Sequence, residues 1–215
     1  MARKQKYSSR GKVLNHPAFT VASYFVFQGT RYMSWGERSY KLGLTIVFAL
    51  LLMFAGLHPL PALLFGHLLN FLLNGQLPVL MRYVLSDVDM TRAKVGKALE
   101  KLERTAGRFG VVDILVFGSF SRHSMKPTSD LDLRFYHRPD FLSAFLAYSY
   151  AAYIRLWANL NFIPIDVFCF SQAAFLDRMR ADENPALLFA ADEMRRKYPN
   201  AQNVDETLRH NRALL

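Results

Sequence analysis

The chain has 215 residues, enough for one domain of ordinary size or for a smaller domain with an accessory segment. Its formal charge of +10 is uneven: residues 1–41 carry eight Lys or Arg and the single acid Glu37, whereas residues 82–215 are close to balanced. Such a distribution argues against a nucleic-acid reader, whose basic excess belongs on the folded domain. The lone Cys169 excludes an intrachain disulfide or a cysteine-rich metal site, suits a reducing compartment, and reads as a small core residue.

The elements divide into three segments: a basic, aromatic arm (1–41), an uncharged stretch (42–81) and a domain of ordinary composition (82–215). The arm reads as a cytoplasmic flank facing anionic lipid; a disordered arm binding any polyanion is the alternative. Its aromatic run around Val21–Phe27 and Tyr32–Trp35 suits an interfacial helix.

No Lys, Arg, Asp or Glu occurs from Leu42 to Met81, and His58-Pro59-Leu60-Pro61 breaks this stretch. It is expected to form a helical hairpin that spans a bilayer or enters and returns, with arms at 42–57 and 62–81. Basic flanks at Lys41 on one side and Arg82, Arg92, Lys94 and Lys97 on the other place both ends in the cytoplasm, at the inner membrane. His67, Asn70 and Asn74 share one helical face. They read first as a packed helix–helix contact, with Gly66 and Gly75 permitting close approach, and second as a stripe touching a substrate headgroup. Such packing occurs within the hairpin or in a homo-oligomer.

Beyond the hairpin, Thr91–Ala106 predicts a Thr91-capped amphipathic helix with Val95, Ala98, Leu99 and Leu102 inward, ended by Gly107 and Gly110. Strands are predicted at Val111–Phe117, Leu131–Tyr136 and Ile163–Phe170, and helices at Phe141–Leu160, Gln172–Arg180 and Ala186–Lys197, before a polar tail. The fold class is therefore α/β or α+β: a small mixed sheet with flanking helices.

Asp130 and Asp132, two apart on a strand, direct their carboxylates to one face about 6.5–7 Å apart, with Leu131 and Leu133 facing the core. Two like charges held so close favour a hard cation between them, Mg²⁺ or Mn²⁺, as in phosphoryl and nucleotidyl transfer. Gly118-Ser119 closes the preceding strand, where backbone amides and a hydroxyl hold phosphate. Arg122 and Lys126 are placed to neutralise a triphosphate, and Ser129 to orient the metal ligands. Asp166 interrupts an otherwise buried strand, a costly place for an unpaired acid, and is the candidate third carboxylate. Asp113, near the start of its strand, reads as structural or exposed.

Phe117-Gly118-Ser119-Phe120-Ser121-Arg122 followed by Ser129-Asp130-Leu131-Asp132-Leu133 resembles the signature of the DNA polymerase β-like nucleotidyltransferases, of the minimal type, over about residues 91–180. The resemblance implies that Gly118 and Ser119 hold the triphosphate, Asp130 and Asp132 bind metal, and Asp166 supplies the later acid. Minimal members often have Arg-Gly after the Gly-Ser motif; here the pair is Arg122-His123. The expected function is metal-dependent transfer of a nucleoside monophosphate (NMP) from a nucleoside triphosphate (NTP) to an acceptor at the membrane, such as a lipid, sugar or protein. The alternatives are a toxin–antitoxin or defence-type protein nucleotidyltransferase and a catalytically silent nucleotide-binding scaffold.

Overall fold

The computed structural model describes residues 22, 25–27, 33–81, 89–171, 184–190 and 192–211. The predicted helix at 172–180 and most of the N-terminal arm lie outside the described residues.

Two long helices open the described chain. Helix α1 (Trp35–Phe54) starts where Ser34 Oγ accepts the Glu37 N–H, and it ends at Ala55-Gly56, with Gly56 in the left-handed region. Helix α2 (Pro59–Asn74) starts at the predicted proline break, with Pro59 at a first-turn position where no backbone donor is needed. The two pack as a hairpin. A Cβ on Gly66 would come within 2.7 Å of Ala49 N and 3.0 Å of Thr45 O, so glycine permits the close approach of the backbones.

The hairpin differs from the expected membrane span. The predicted 62–81 arm is interrupted at Gly75-Gln76 and resumes as the short helix α3 (Leu77–Met81). With 16 residues, α2 rises about 24 Å, against about 30 Å for a bilayer core. Helix α1 is longer but carries Glu37, Arg38 and Lys41 in its first turns. Among the described residues no helix is long and apolar enough to cross a membrane. Lys41, expected as a lipid-facing flank, is 3% exposed and lies inside the molecule.

The polar stripe is resolved in favour of packing. Asn70 Nδ2 donates to the Lys41 carbonyl at 2.8 Å and to Thr45 Oγ1 at 2.9 Å, and His67 Nε2 lies 2.8 Å from the Phe25 carbonyl. Asn74 Oδ1 accepts from Arg155 Nη1 at 2.8 Å.

Helix α4 (Arg92–Thr105), capped by Thr91 as predicted, runs through a 3-10 turn (Ala106–Phe109) to Gly110, which takes a positive φ. Strand β1 (Val111–Phe117), the one-turn helix α5 (Gly118–Ser121), β2 (Leu131–His137), α6 (Phe141–Leu160) and β3 (Ile165–Phe170) follow in order. The predicted helix at 186–197 is instead strand β4 (Ala186–Phe189) followed by the short helix α7 (Asp192–Lys197). Ala186-Leu187-Leu188-Phe189 is equally apolar in either period, and the open edge of β1 decides the matter by pairing with it. The polar tail also holds structure, β5 (Gln202–Asn203) and α8 (Val204–His210).

The five strands form one mixed sheet in the order β3-β2-β1-β4-β5. Strands β1–β2 and β1–β4 are antiparallel, and β2–β3 and β4–β5 are parallel. One face carries Ile114, Val116, Leu133, Phe135, Val167 and Cys169 and packs on α4 and α6 as the main core. The other face carries Leu115, Phe117, Tyr136, Phe168 and Phe170 in a smaller cluster with Leu187 and Met194. By the alternation of β-strands, Asp132 and Asp166 belong to this second face.

Among the described strands β3 is an edge, and side chains from α1 and α6 close it. Glu37 Oε2 accepts the Cys169 N–H at 3.0 Å, while Arg155 Nη2 donates to the Val167 carbonyl and to Glu37 Oε1. Both members of this ion pair are 1% exposed. Two outward backbone groups of this strand, the Cys169 N–H and the Val167 carbonyl, thus find side-chain partners.

The hairpin's outer surface is apolar. Leu42, Ile46, Leu50 and Phe54 of α1 and Leu60, Leu64 and Leu72 of α2 are all exposed, Phe54 at 95%. Phe141, Leu142 and Phe145 of α6 are exposed as well.

Candidate functional site

The site gathers where β1 ends and β2 and β3 run side by side. Phe117 pairs with Asp132 across β1–β2, and Asp132 pairs with Asp166 across β2–β3. Residues opposite one another on adjacent strands share a face, so both carboxylates rise from the same side of the sheet. Asp130 lies just before β2 and contributes its negative charge to the field at Asp166.

Gly118 sits in the left-handed region at φ +74, and a Cβ built there would overlap the Asp132 carboxylate. Glycine therefore meets two demands at once, a positive φ and the approach of an acid to the backbone. The loop beyond is tightly bonded. Arg122 N–H donates to Gly118 O at 3.4 Å, Ser124 N–H to Ser119 O at 2.9 Å, and Ser121 Oγ to Gly118 O at 3.2 Å. His123 takes φ +53, so the backbone form that the commoner Arg-Gly pair would allow is kept with a histidine in place.

Ser119 is half-buried, and Arg122 and Lys126 are exposed on the loop. Ser129 closes the loop's far end: its hydroxyl accepts the Lys126 N–H at 3.0 Å, and its own N–H donates to the Lys126 carbonyl at 2.9 Å. Its observed bonds thus shape the loop leading to Asp130. Asp113 is buried on β1, away from the Gly-Ser end, and Cys169 is a buried core residue on β3.

Burial pushes the Asp166 carboxyl up to about 6; Arg134 opposes this, and the charge of Asp130 adds to it. Arg134 lies two residues beyond Asp132 on the same face, its guanidinium 4.6 Å from the Phe168 ring centre. Gln76 donates from Nε2 to Asp166 Oδ1. Asn211, at the end of α8, holds both sides of the Gly-Ser loop: Nδ2 donates to Phe120 O at 3.0 Å, and Oδ1 accepts the Met125 N–H at 3.1 Å. Sequence reasoning missed Arg134, Gln76, Asn211 and the Glu37–Arg155 pair. One signal was available, since Arg155 is the lone charge in the 20-residue helix α6. The others carry no spacing that marks them.

Among the described residues no group of three His, Cys, Asp or Glu side chains is arranged to hold a metal ion. Mg²⁺ is commonly held by one or two carboxylates, with substrate phosphates completing the shell. Asp132 and Asp166, in register on one face with glycine clearing the space beside Asp132, fit that donor set.

Residues 95–184 match the family model of the nucleotidyltransferase domain, a span that takes in the Gly-Ser loop and all three acids. The match supports the nucleotidyltransferase superfamily and a transferase activity for this domain. No curated protein and no solved structure matches the chain.

Proposed function

We propose that this protein is a metal-dependent nucleotidyltransferase that moves an NMP from an NTP to an acceptor at a lipid surface. The observation that carries the reading is Gly118, left-handed and packed against Asp132, with Asp166 in register beside it. Asp132 and Asp166, with Asp130 just before β2, would hold Mg²⁺ or Mn²⁺, and the ion would supply positive charge to offset that of the triphosphate and the leaving pyrophosphate. The Gly118-Ser119 turn presents backbone amides and the Ser119 hydroxyl to the triphosphate, and Arg122 and Lys126 balance its charge. Asp166, in register beside Asp132 on the same face, is placed to accept the acceptor's hydroxyl proton.

A lipid-surface acceptor, and a place at the cytoplasmic face of the inner membrane, are supported by the hairpin's exposed apolar side and the basic arm before it. In this reading the hairpin lies in one leaflet rather than crossing it. The same apolar side could instead join two copies of the chain. A protein acceptor, as in a toxin–antitoxin or defence system, would appear as nucleotide added to Tyr, Ser or Thr of a co-expressed partner. A silent scaffold would bind NTP without cleaving it.

The test is pyrophosphate release from each NTP with Mg²⁺ or Mn²⁺ in lipid vesicles. Release by the wild type, abolished in Asp132→Ala, is expected. No release from any NTP, with Asp132→Ala binding NTP as the wild type does, would sink the reading.

A further inference from the structure

Gln76 lies in the break between α2 and α3, outside the matched domain. Yet its side chain is 3% exposed and donates to Asp166 on β3. A buried amide carries a desolvation cost that an apolar residue at this junction would avoid. Its presence is explained by what it touches.

The backbone on both sides of Gln76 is pinned to α6. Asn159 Nδ2 donates to the Gly75 carbonyl at 2.8 Å and to the Leu72 carbonyl at 3.1 Å, while its Oδ1 accepts the Leu77 N–H at 3.1 Å. One side chain therefore clamps the residues before and after Gln76. Two residues upstream, Asn74 is tied to Arg155, the same guanidinium that bonds the β3 backbone at Val167. The hairpin's end and the strand carrying Asp166 are thus held in one frame, and Gln76 is presented from it as a fixed donor. With Asp166 ionised, the amide oxygen facing the carboxylate would be repulsive, so the N–H₂ end must face it.

Resting on the nucleotidyltransferase reading, we infer that Gln76 is a positioning residue for Asp166: it engages one carboxylate oxygen and leaves the other for the divalent cation. The hairpin is then part of the catalytic unit and cannot be treated as a detachable anchor. Outer groups that orient metal ligands typically change metal affinity or activity by about 10–100-fold when removed.

The experiment uses the full chain in lipid vesicles, with Mn²⁺ binding followed by electron paramagnetic resonance in the presence of a non-hydrolysable NTP analogue. Gln76→Met keeps the length and removes the donor. It is expected to weaken Mn²⁺ binding by about tenfold or more and to lower kcat in parallel, while KM for NTP and the melting temperature stay near wild type. Asn70→Leu is the comparison, a buried hairpin amide whose bonds stay inside the hairpin. It is expected to lower the melting temperature and leave Mn²⁺ affinity unchanged. Wild-type Mn²⁺ affinity in Gln76→Met, or an equal loss in Asn70→Leu, would overturn the inference. Asp132→Ala separates the two levels. If it loses Mn²⁺ while Gln76→Met does not, only the role of Gln76 fails; if it too keeps Mn²⁺, the underlying reading fails with it.

Discussion

At Gly118 the main chain turns left-handed against the Asp132 carboxylate, leaving no room for a side chain. Gly118→Ala would add about 1–2 kcal/mol of backbone strain and force Asp132 aside. A displacement of that kind costs on the order of 100-fold in rate, to be read from pyrophosphate release alongside a thermal melt. Asp166 makes a second prediction. Its carboxyl titrates at about 6 in the folded protein, against an ordinary value of 3.8. Between those values the folded state binds more protons than the unfolded one, so metal-free protein loses stability as pH rises from about 4 to 6 and is level beyond. The loss is on the order of 3 kcal/mol, and denaturant titrations should show it in the wild type but not in Asp166→Asn. The shared face of Asp132 and Asp166 was legible in the sequence because strand alternation leaves an acid conspicuous among core residues, whereas Asp130, read as a strand residue, lies just before β2. Gln76 and Asn211 were not legible, because they act through contacts more than 80 positions away along the chain.

Among the elements, the helical hairpin formed with its break where expected, but no helix of it is long and apolar enough to cross a membrane. An uncharged stretch of 40 residues has the composition of a membrane segment, yet composition does not reveal that Gly75-Gln76 ends α2 after 16 residues. Nor does it reveal that Glu37 and Lys41 turn inward. What the hairpin provides is a cover for the open edge of β3. Removing one partner of the buried Glu37–Arg155 pair, as in Glu37→Gln or Arg155→Met, is expected to cost about 3–5 kcal/mol. Replacing both with apolar residues should not restore stability, because the Cys169 N–H and Val167 carbonyl would remain buried without partners. Denaturant unfolding of the two single variants and the double variant checks this. Helix α4 was legible to within a residue because its Thr91 cap and its periodicity agree, and α6 has the bounds expected of it. The segment at 186–189 was not, since a four-residue apolar run takes its conformation from the strand beside it.

At the scale of the whole molecule, a sheet bearing Asp132 and Asp166 is tied by buried hydrogen bonds and an ion pair to a hairpin whose outer side is apolar. Such a surface calls for a nonpolar partner. Flotation with anionic vesicles is expected to carry the wild type upward, and Leu50→Glu with Phe54→Glu to leave it behind. A wild type that stays at the bottom as a dimer would show that the apolar side joins copies instead. The most direct test of the account follows the phosphorus. Protein is incubated with membrane lipids and NTP labelled on either the α- or the γ-phosphate. Label from the α position should appear on the acceptor and label from the γ position in pyrophosphate, with neither seen for Asp132→Ala. Transfer of the γ-label, or of no label from any NTP, would contradict it.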